Sequence, residues 1–340
     1  MRYFVFLLLV CFVSKLSSQD FPSWSANLSG ANLKEAVRIN CSPSNYVNSN
    51  QIDELILDID LKNDSVLSRF SLSTYSLSQA KSGLTPLWLV PSIWYRNASK
   101  IEKEHATSDL FNIFPAEIDF ANIREDYMPG TPVEAYWSNG IITIGPDEHD
   151  QGVWTFPDKF RGEFARTFFY MATVYPMDLW GAYGQVFMAD GSYPSLSKNA
   201  LEMLLEFHDN YPPSEEEIQR NRLIEKIQGN INVFVTFPEM ISHIWGDKKN
   251  MPFPGASDEN NETGEHNQYD EKYDQLRGYY SINDIIWLKS PFIPHDAIWT
   301  VDGTTLNSES INASDLQLGK HLLEFKSSSL TGKLFIEISQ

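Results

Sequence analysis

The sequence predicts an α+β fold with a small β appendage at its C-terminal end. Helical periodicity is concentrated between residues 161 and 246, while strand-like runs stand apart from it, around residues 141–156 and again beyond residue 276. With 340 residues, 42% of them hydrophobic, the chain can bury one substantial core and carry a second, smaller unit.

The chain opens MRYFVFLLLVCFVSKLSSQD, with Arg2, an apolar run from Tyr3 to Val13, and then small and polar residues. This pattern predicts a signal peptide over residues 1–19. The run is far shorter than the roughly 18 residues of a membrane span, and no later stretch reaches that length. The expectation is a secreted or cell-surface protein with no membrane span. Cys11 leaves with the leader, so Cys41 stands alone and forms no internal disulfide; it reads as a small buried thiol. The formal charge is −19, and loss of Arg2 and Lys15 deepens it by two. Such a field repels phosphate, which disfavours passive binding of nucleic acid while leaving room for a local basic groove.

The main domain is predicted over residues 20–248. Asp20 to Ser82 is polar and rich in serine and asparagine, with one alternating segment, Asp53 to Leu61 (DELILDIDL), that suits a strand. From Leu84 aromatic density rises. IITIGPDEHDQGVWTF reads as a hairpin with Gly145 and Pro146 marking the turn. In RGEFARTFFYMATVY, Phe164, Phe168 and Met171 fall on one helix face. Leu201 to Phe207 forms another short helix. Ser214 and Glu217 make a capping box for a third, with Leu223, Ile224 and Ile227 along one side, and Pro238 opens a last one ending at Gly246. Residues 249–275 form an acidic linker or loop, in which seven acidic residues face a single lysine between Met251 and Asp274. No Asp-x-Asp-x-Asp-Gly calcium loop is present there. Residues 276–340 hold short strand-like runs, IIWL, AIWTV, HLLEF and KLFIEI, which predict a small β-rich unit.

The central block is more specific. EEEIQRNRLIEKIQGNINVFVTFPEMISHIWG, Glu215 to Gly246, resembles the closing helices of the bacterial endonuclease I family, which read much like "RN-x-x-I-x-x-x-Q-G-N-x-N-P-F-I-D-H-P-E…IW". RGEFARTFFYMA resembles that family's "KG-D-x-A-R-x-x-F-Y-M-A", SDLFNIFPA resembles "DLHNLYPV", and LWLVPSIWY resembles "EHVWPQSWF". These motifs occur in the family's order over roughly residues 84 to 246. The resemblance implies a ββα-metal, or His-Me finger, core embedded in helices and a metal-dependent hydrolysis of DNA or RNA phosphodiester bonds. In that reaction a neutral histidine takes a proton from water, while a hard divalent cation such as Mg²⁺, held by oxygens, stabilises the phosphorane-like transition state.

Position by position, the implied machinery is largely gone. Leu87 and Trp88 stand at the family's Glu-His pair; leucine has no lone pair, and an indole donates a hydrogen bond but accepts no proton. Phe111 replaces the histidine of "DLHNL", with Asn112 kept after it. The metal-binding asparagine position falls on Ala121, with Asn122 one residue on, so Asn112 and Asn122 are the metal candidates. Arg124 matches an arginine near the scissile phosphate, and reads equally as a structural ion-pair former. Thr236-Phe237 takes the place of an Asp-His. Three histidine positions have become large aromatics, which turns a wet cleft into something like core; burial of each ring contributes about 1.5 to 3 kcal/mol.

Glu148-His149 recreates a Glu-His pair in the hairpin turn, where it reads first as an exposed turn and second as a migrated catalytic pair. His105 reads as a surface residue, and Asn112, Gln228, Asn230 and Asn232 as buried amides satisfying loop backbone. The C-terminal segment INASDLQLGKHLLEFKSSSLTGKLFIEI weakly resembles the end of sorting domains used by type IX secretion in gliding bacteria, without their Pro-Asn-Pro opening. Three functional readings stand: a pseudo-nuclease that binds through the old cleft or its surface, an active extracellular nuclease with relocated ligands acting on nucleic acid, and an extracellular scaffold.

Overall fold

A computed structural model of the chain describes residues 21–95, 98–175, 186–189 and 193–254, and, further on, 279–282, 285–288, 297–306, 308, 310–327 and 331–339. The predicted leader and most of the acidic linker lie outside the described residues. The elements run α1 (Gly30–Cys41), α2 (Ile52–Ile59), β1 (Leu61–Lys62), β2 (Ser65–Leu67), β3 (Thr74–Ser76), α3 (Leu77–Gly83), β4 (Leu84–Trp88), α4 (Lys100–Ser108), β5 (Ile113–Glu117) and α5 (Ile118–Arg124). There follow β6 (Met128–Pro129), β7 (Trp137–Ser138), β8 (Thr143–Pro146), β9 (Gly152–Trp154), α6 (Arg161–Val174), α7 (Lys198–Asn210), α8 (Glu215–Gln228), α9 (Val233–Thr236) and α10 (Met240–Ile244). The C-terminal unit contributes β10 (Tyr279–Ser281), β11 (Ile285–Trp287), β12 (Ile298–Val301), β13 (Thr304–Thr305), β14 (Ser310–Asn312), β15 (Gly319–Lys326) and β16 (Thr331–Ser339). The fold is α+β: helices surround several small sheets instead of covering one large one.

Helix α6 forms the axis of the main core. Its sequence predicts one apolar face, but every residue from Gly162 to Val174 is buried, because α1, α7 and α9 pack around it. The charged groups this encloses are paired. Arg166 donates to both Glu217 oxygens, at 2.6 and 2.5 Å, tying α6 to the start of α8. Arg69 bridges Asp60 at 2.9 Å and Glu163 at 2.8 Å. Since Glu217 is spent on Arg166, only half of the predicted capping box forms: the Ser214 hydroxyl accepts from the Glu217 N–H.

Two local expectations are corrected. The predicted strand Asp53 to Leu61 is helix α2 as far as Ile59. Its buried residues, Ile52, Ile56, Leu57 and Ile59, also satisfy a helical period, and Asp53 and Glu54 in the first turn favour the helix dipole. The predicted hairpin exists as β8 and β9, but Gly145 and Pro146 lie within β8. Gly145 answers a close approach: a Cβ there would fall 1.8 Å from the Glu134 carbonyl oxygen. The turn is made instead by Asp147, whose Oδ1 accepts from the backbone N–H groups of His149 and Gln151.

The C-terminal unit has a five-stranded sheet in the order β10-β16-β15-β12-β13 and a two-stranded sheet, β11-β14. Its core includes Trp299, Leu323 and Ile336, and also Ile39 from α1, which thereby joins the unit to the main domain. Phe253, within the predicted linker, is fully buried against Phe21 and His243.

Candidate active site

Strands β4 and β5 pair antiparallel, with Leu87 opposite Phe114 and Trp88 opposite Ile113, and α5 follows β5 without a loop. This strand–strand–helix unit carries the positions at which the sequence places catalytic chemistry. Leu87 is buried beside Phe114 in the apolar core. Trp88 is half-buried, and its indole N–H donates to the Thr107 carbonyl at 2.6 Å, pinning the strand to the end of α4.

Arg124, in the last turn of α5, is buried and folds back onto β4. Its guanidinium donates to the Trp88 carbonyl and reaches the Leu89 carbonyl at 3.5 Å, while lying 5.7 Å from the centre of the Trp154 ring. Burial lowers its pKa to about 10, partly offset by Asp126. Asn112 is fully buried and engaged at both ends of its amide: the oxygen accepts from the Val90 N–H at 2.8 Å, and the nitrogen donates to the Val90 carbonyl at 2.9 Å. Asn122 is exposed on α5 and Ala121 half-buried.

Beneath β4 lies a polar cluster that sequence reasoning touched only through Gln228 and Asn230. The fully buried Asp109 carboxylate accepts from the hydroxyls of Tyr170 at 2.8 Å and Tyr175 at 2.7 Å, from the Phe111 N–H and from the Gln228 amide. Burial raises its pKa, against the pull of these four donors. Gln228 also accepts from the Leu110 N–H, and Asn230 donates to the Cys41 carbonyl. Nothing in the sequence around Asp109 marks it as the hub, since its partners come from residues 111, 170, 175 and 228.

The remaining candidates are scattered. His105, expected at the surface, is buried instead: its ring stacks on Tyr46 at 3.7 Å, with Lys320 over the Tyr46 ring, and burial lowers its pKa to about 3. Phe111 packs edge-on against Tyr170, and Phe237 lies against Phe21. Glu148 and His149 are exposed on the turn after β8, with 3.7 Å between Oε1 and Nε2, and belong to a sheet that shares no strand with the β4–β5 pair.

A hard divalent cation needs several oxygen ligands converging on one point. Position 87 offers hydrocarbon, position 88 a donor, and the Asn112 oxygen is already used by backbone, so the residues at these positions do not fit such an ion. Among the described residues no group of three or more His, Cys, Asp or Glu side chains is placed to hold a metal.

Fold and site together define an α+β protein that contains a strand–strand–helix unit, with the aliphatic Leu87 and the aromatic Trp88 on its first strand. The family model described as Endonuclease I matches residues 38–239, more than half of the sequence, and the chain belongs to the endonuclease I family. It is 35% identical over 102 residues to the "Extracellular ribonuclease" of Bacillus subtilis (strain 168), an alignment covering 28% of this chain and 34% of that protein. To the "Extracellular deoxyribonuclease" of Aeromonas hydrophila it is 27% identical over 145 residues, 41% of this chain and 55% of that protein. To the "Extracellular ribonuclease" of Bacillus amyloliquefaciens it is 29% identical over 152 residues, 41% of this chain and 46% of that protein. The aligned parts thus span between a third and a little over half of these relatives. Among the described residues no helix is long and apolar enough to cross a membrane.

Proposed function

We propose that this chain is an exported member of the endonuclease I family whose inherited site no longer hydrolyses phosphodiesters and which keeps a recognition role toward nucleic acid. The observation that carries the loss of hydrolysis is the state of β4: Trp88 directs its indole N–H to the Thr107 carbonyl, and Arg124, the retained match, donates to the backbone of the same strand; the recognition of nucleic acid is inferred from the family. A general base accepts a proton from water within hydrogen-bond reach, and an indole cannot. A phosphate clamp needs a guanidinium with donors turned to solvent, whereas this one is buried. Export is supported by the apolar opening of the sequence and by the extracellular relatives.

The test is incubation of the purified chain with plasmid DNA and with RNA in Mg²⁺ or Mn²⁺, beside chelator-treated and heat-killed controls. The expected outcome is no chelator-sensitive cleavage. Cleavage that disappears in Glu148→Ala/His149→Ala would instead establish an active nuclease with a relocated catalytic pair.

A further inference from the structure

The sheet ordered β6-β9-β8-β7 has two unlike faces. From β9, Trp154 points into the aromatic core among Phe70, Phe120, Phe156 and Phe164, with Arg124 over its ring. Val153, the neighbouring residue in the strand, points the opposite way. It lines a cavity of 410 Å³ that the start of α7 also borders. That cavity therefore lies on the face away from Arg124 and its backbone partners on β4.

Met128, Val153, Phe187 and Met203 give the cavity apolar walls. Its polar groups come from the turn after β8, as Asp147, His149 and Gln151, and from the start of α7, as the N-cap Ser197 and Asn199. One Asp147 oxygen is spent on the turn, accepting from the His149 and Gln151 N–H groups. Its second oxygen and the Asn199 amide have no hydrogen-bond partner among the described residues. The volume falls within the range of about 300 to 1,000 Å³ typical of small-molecule sites.

Apolar walls with a few hydrogen-bonding groups on one side complement a flat heterocycle, which is apolar on its faces and polar on its edge. Charge decides how such a ligand enters. Asp147, Glu148 and Asp150 stand together in the turn, on a chain of formal charge −19, and disfavour a phosphate at the mouth. A base can enter while its phosphates stay in solvent. The free Asp147 oxygen can only accept, so it favours a base edge that carries a donor, an exocyclic amino group or a ring N–H. We propose that this cavity binds a single unstacked nucleobase through an N–H or amino donor on its edge, held by the free Asp147 oxygen. The proposal deepens the recognition role above and rests on it, since a chain this acidic is better suited to reading bases than to gripping a backbone.

The experiment is NMR of the full chain labelled at its methionine methyls, titrated with guanosine, adenosine, cytidine, uridine and 3-methyluridine, whose base has no N–H. The expected result is selective perturbation of the Met128 and Met203 methyls by the first four, with 3-methyluridine binding about tenfold more weakly, as the loss of one hydrogen bond to a charged group implies. Asp147→Asn keeps the oxygen that makes the turn and should abolish the preference; Ala200→Trp, which fills the cavity from α7, should abolish the shifts. If Ala200→Trp does not fold, Asp147→Asn decides alone. Silence of both methyls with every nucleoside, or a nucleoside preference unchanged by Asp147→Asn, overturns the proposal. A single-stranded oligonucleotide titrated in parallel separates the two readings. Oligonucleotide binding with both methyls silent overturns the cavity alone; nucleoside shifts with no oligonucleotide binding support the cavity and overturn the recognition role.

Discussion

At Trp88 the indole N–H lies 2.6 Å from the Thr107 carbonyl and holds β4 against the end of α4. Trp88→Phe keeps the ring packing and strands that carbonyl, so it should lower stability by about 1 kcal/mol, read as the shift of a urea midpoint. Leu87→Glu/Trp88→His introduces the Glu-His dipeptide that the family resemblance places there. It should give no chelator-sensitive cleavage, because the Asn112 oxygen and the two terminal Arg124 nitrogens remain bound to backbone between residues 88 and 90, and the carboxylate introduced at position 87 would enter an apolar core; plasmid nicking by this variant would refute that reasoning. The incapacity of residues 87 and 88 was legible from the sequence, since accepting a proton is a property of the side chain alone. The fate of Arg124 was not: a phosphate clamp and a buried backbone donor carry the same letter, and only the fold of α5 onto β4 separates them.

Helices α6 and α8 are tied by a buried pair. Arg166 and Glu217 meet through two charge-assisted hydrogen bonds, with side chains 1% and 5% exposed. Glu217→Gln leaves the guanidinium buried without its counter-charge and should cost about 3 to 5 kcal/mol, measurable by denaturant titration. His208 on α7 lies beside the same arginine. Burial, reinforced by the Arg166 charge, lowers its pKa to about 4, and burial with Lys320 lowers that of His105 to about 3. Both values lie below the ordinary 6.5, so the unfolded chain takes up these protons first, and stability falls as the pH drops from about 6.5 toward 4. Each histidine should cost about 1 to 2 kcal/mol at pH 5, and His208→Gln should flatten the decline between pH 7 and 5 relative to the parent chain. Helices α6, α7, α8 and α10 were legible because caps and periodicity are local: Ser214 N-caps α8, and Phe164, Phe168 and Met171 are buried on α6, whereas the helices before residue 125 were not read. Segment Asp53 to Leu61 was misread because its apolar positions fit periods of both 2 and 3.6, and packing chose the helix.

Across the whole molecule, formal charge and cavity chemistry bear on the same question. A protein that holds nucleic acid through phosphates loses affinity steeply with salt, with a slope of about −0.9 per neutralised phosphate on duplex DNA. With 45 acidic against 26 basic residues, this chain should show almost no salt-dependent affinity for random-sequence duplex, and a slope steeper than about −3 between 50 and 200 mM salt would contradict that. The C-terminal unit is not an independent bead: Ile39 of α1 lies in its core, and Lys320 stands over Tyr46, on which His105 stacks.

Composition and motif order were enough to read an acidic α+β chain of this family, and to see that Leu87 and Trp88 offer neither a base nor a metal ligand, because those statements concern side chains taken one at a time. Burial of His105, engagement of both ends of the Asn112 amide, the Asp109 hub and the cavity behind Val153 all depend on residues far apart in the chain. Their partners are chosen by which surfaces exclude water together, and no local pattern in the sequence records that choice.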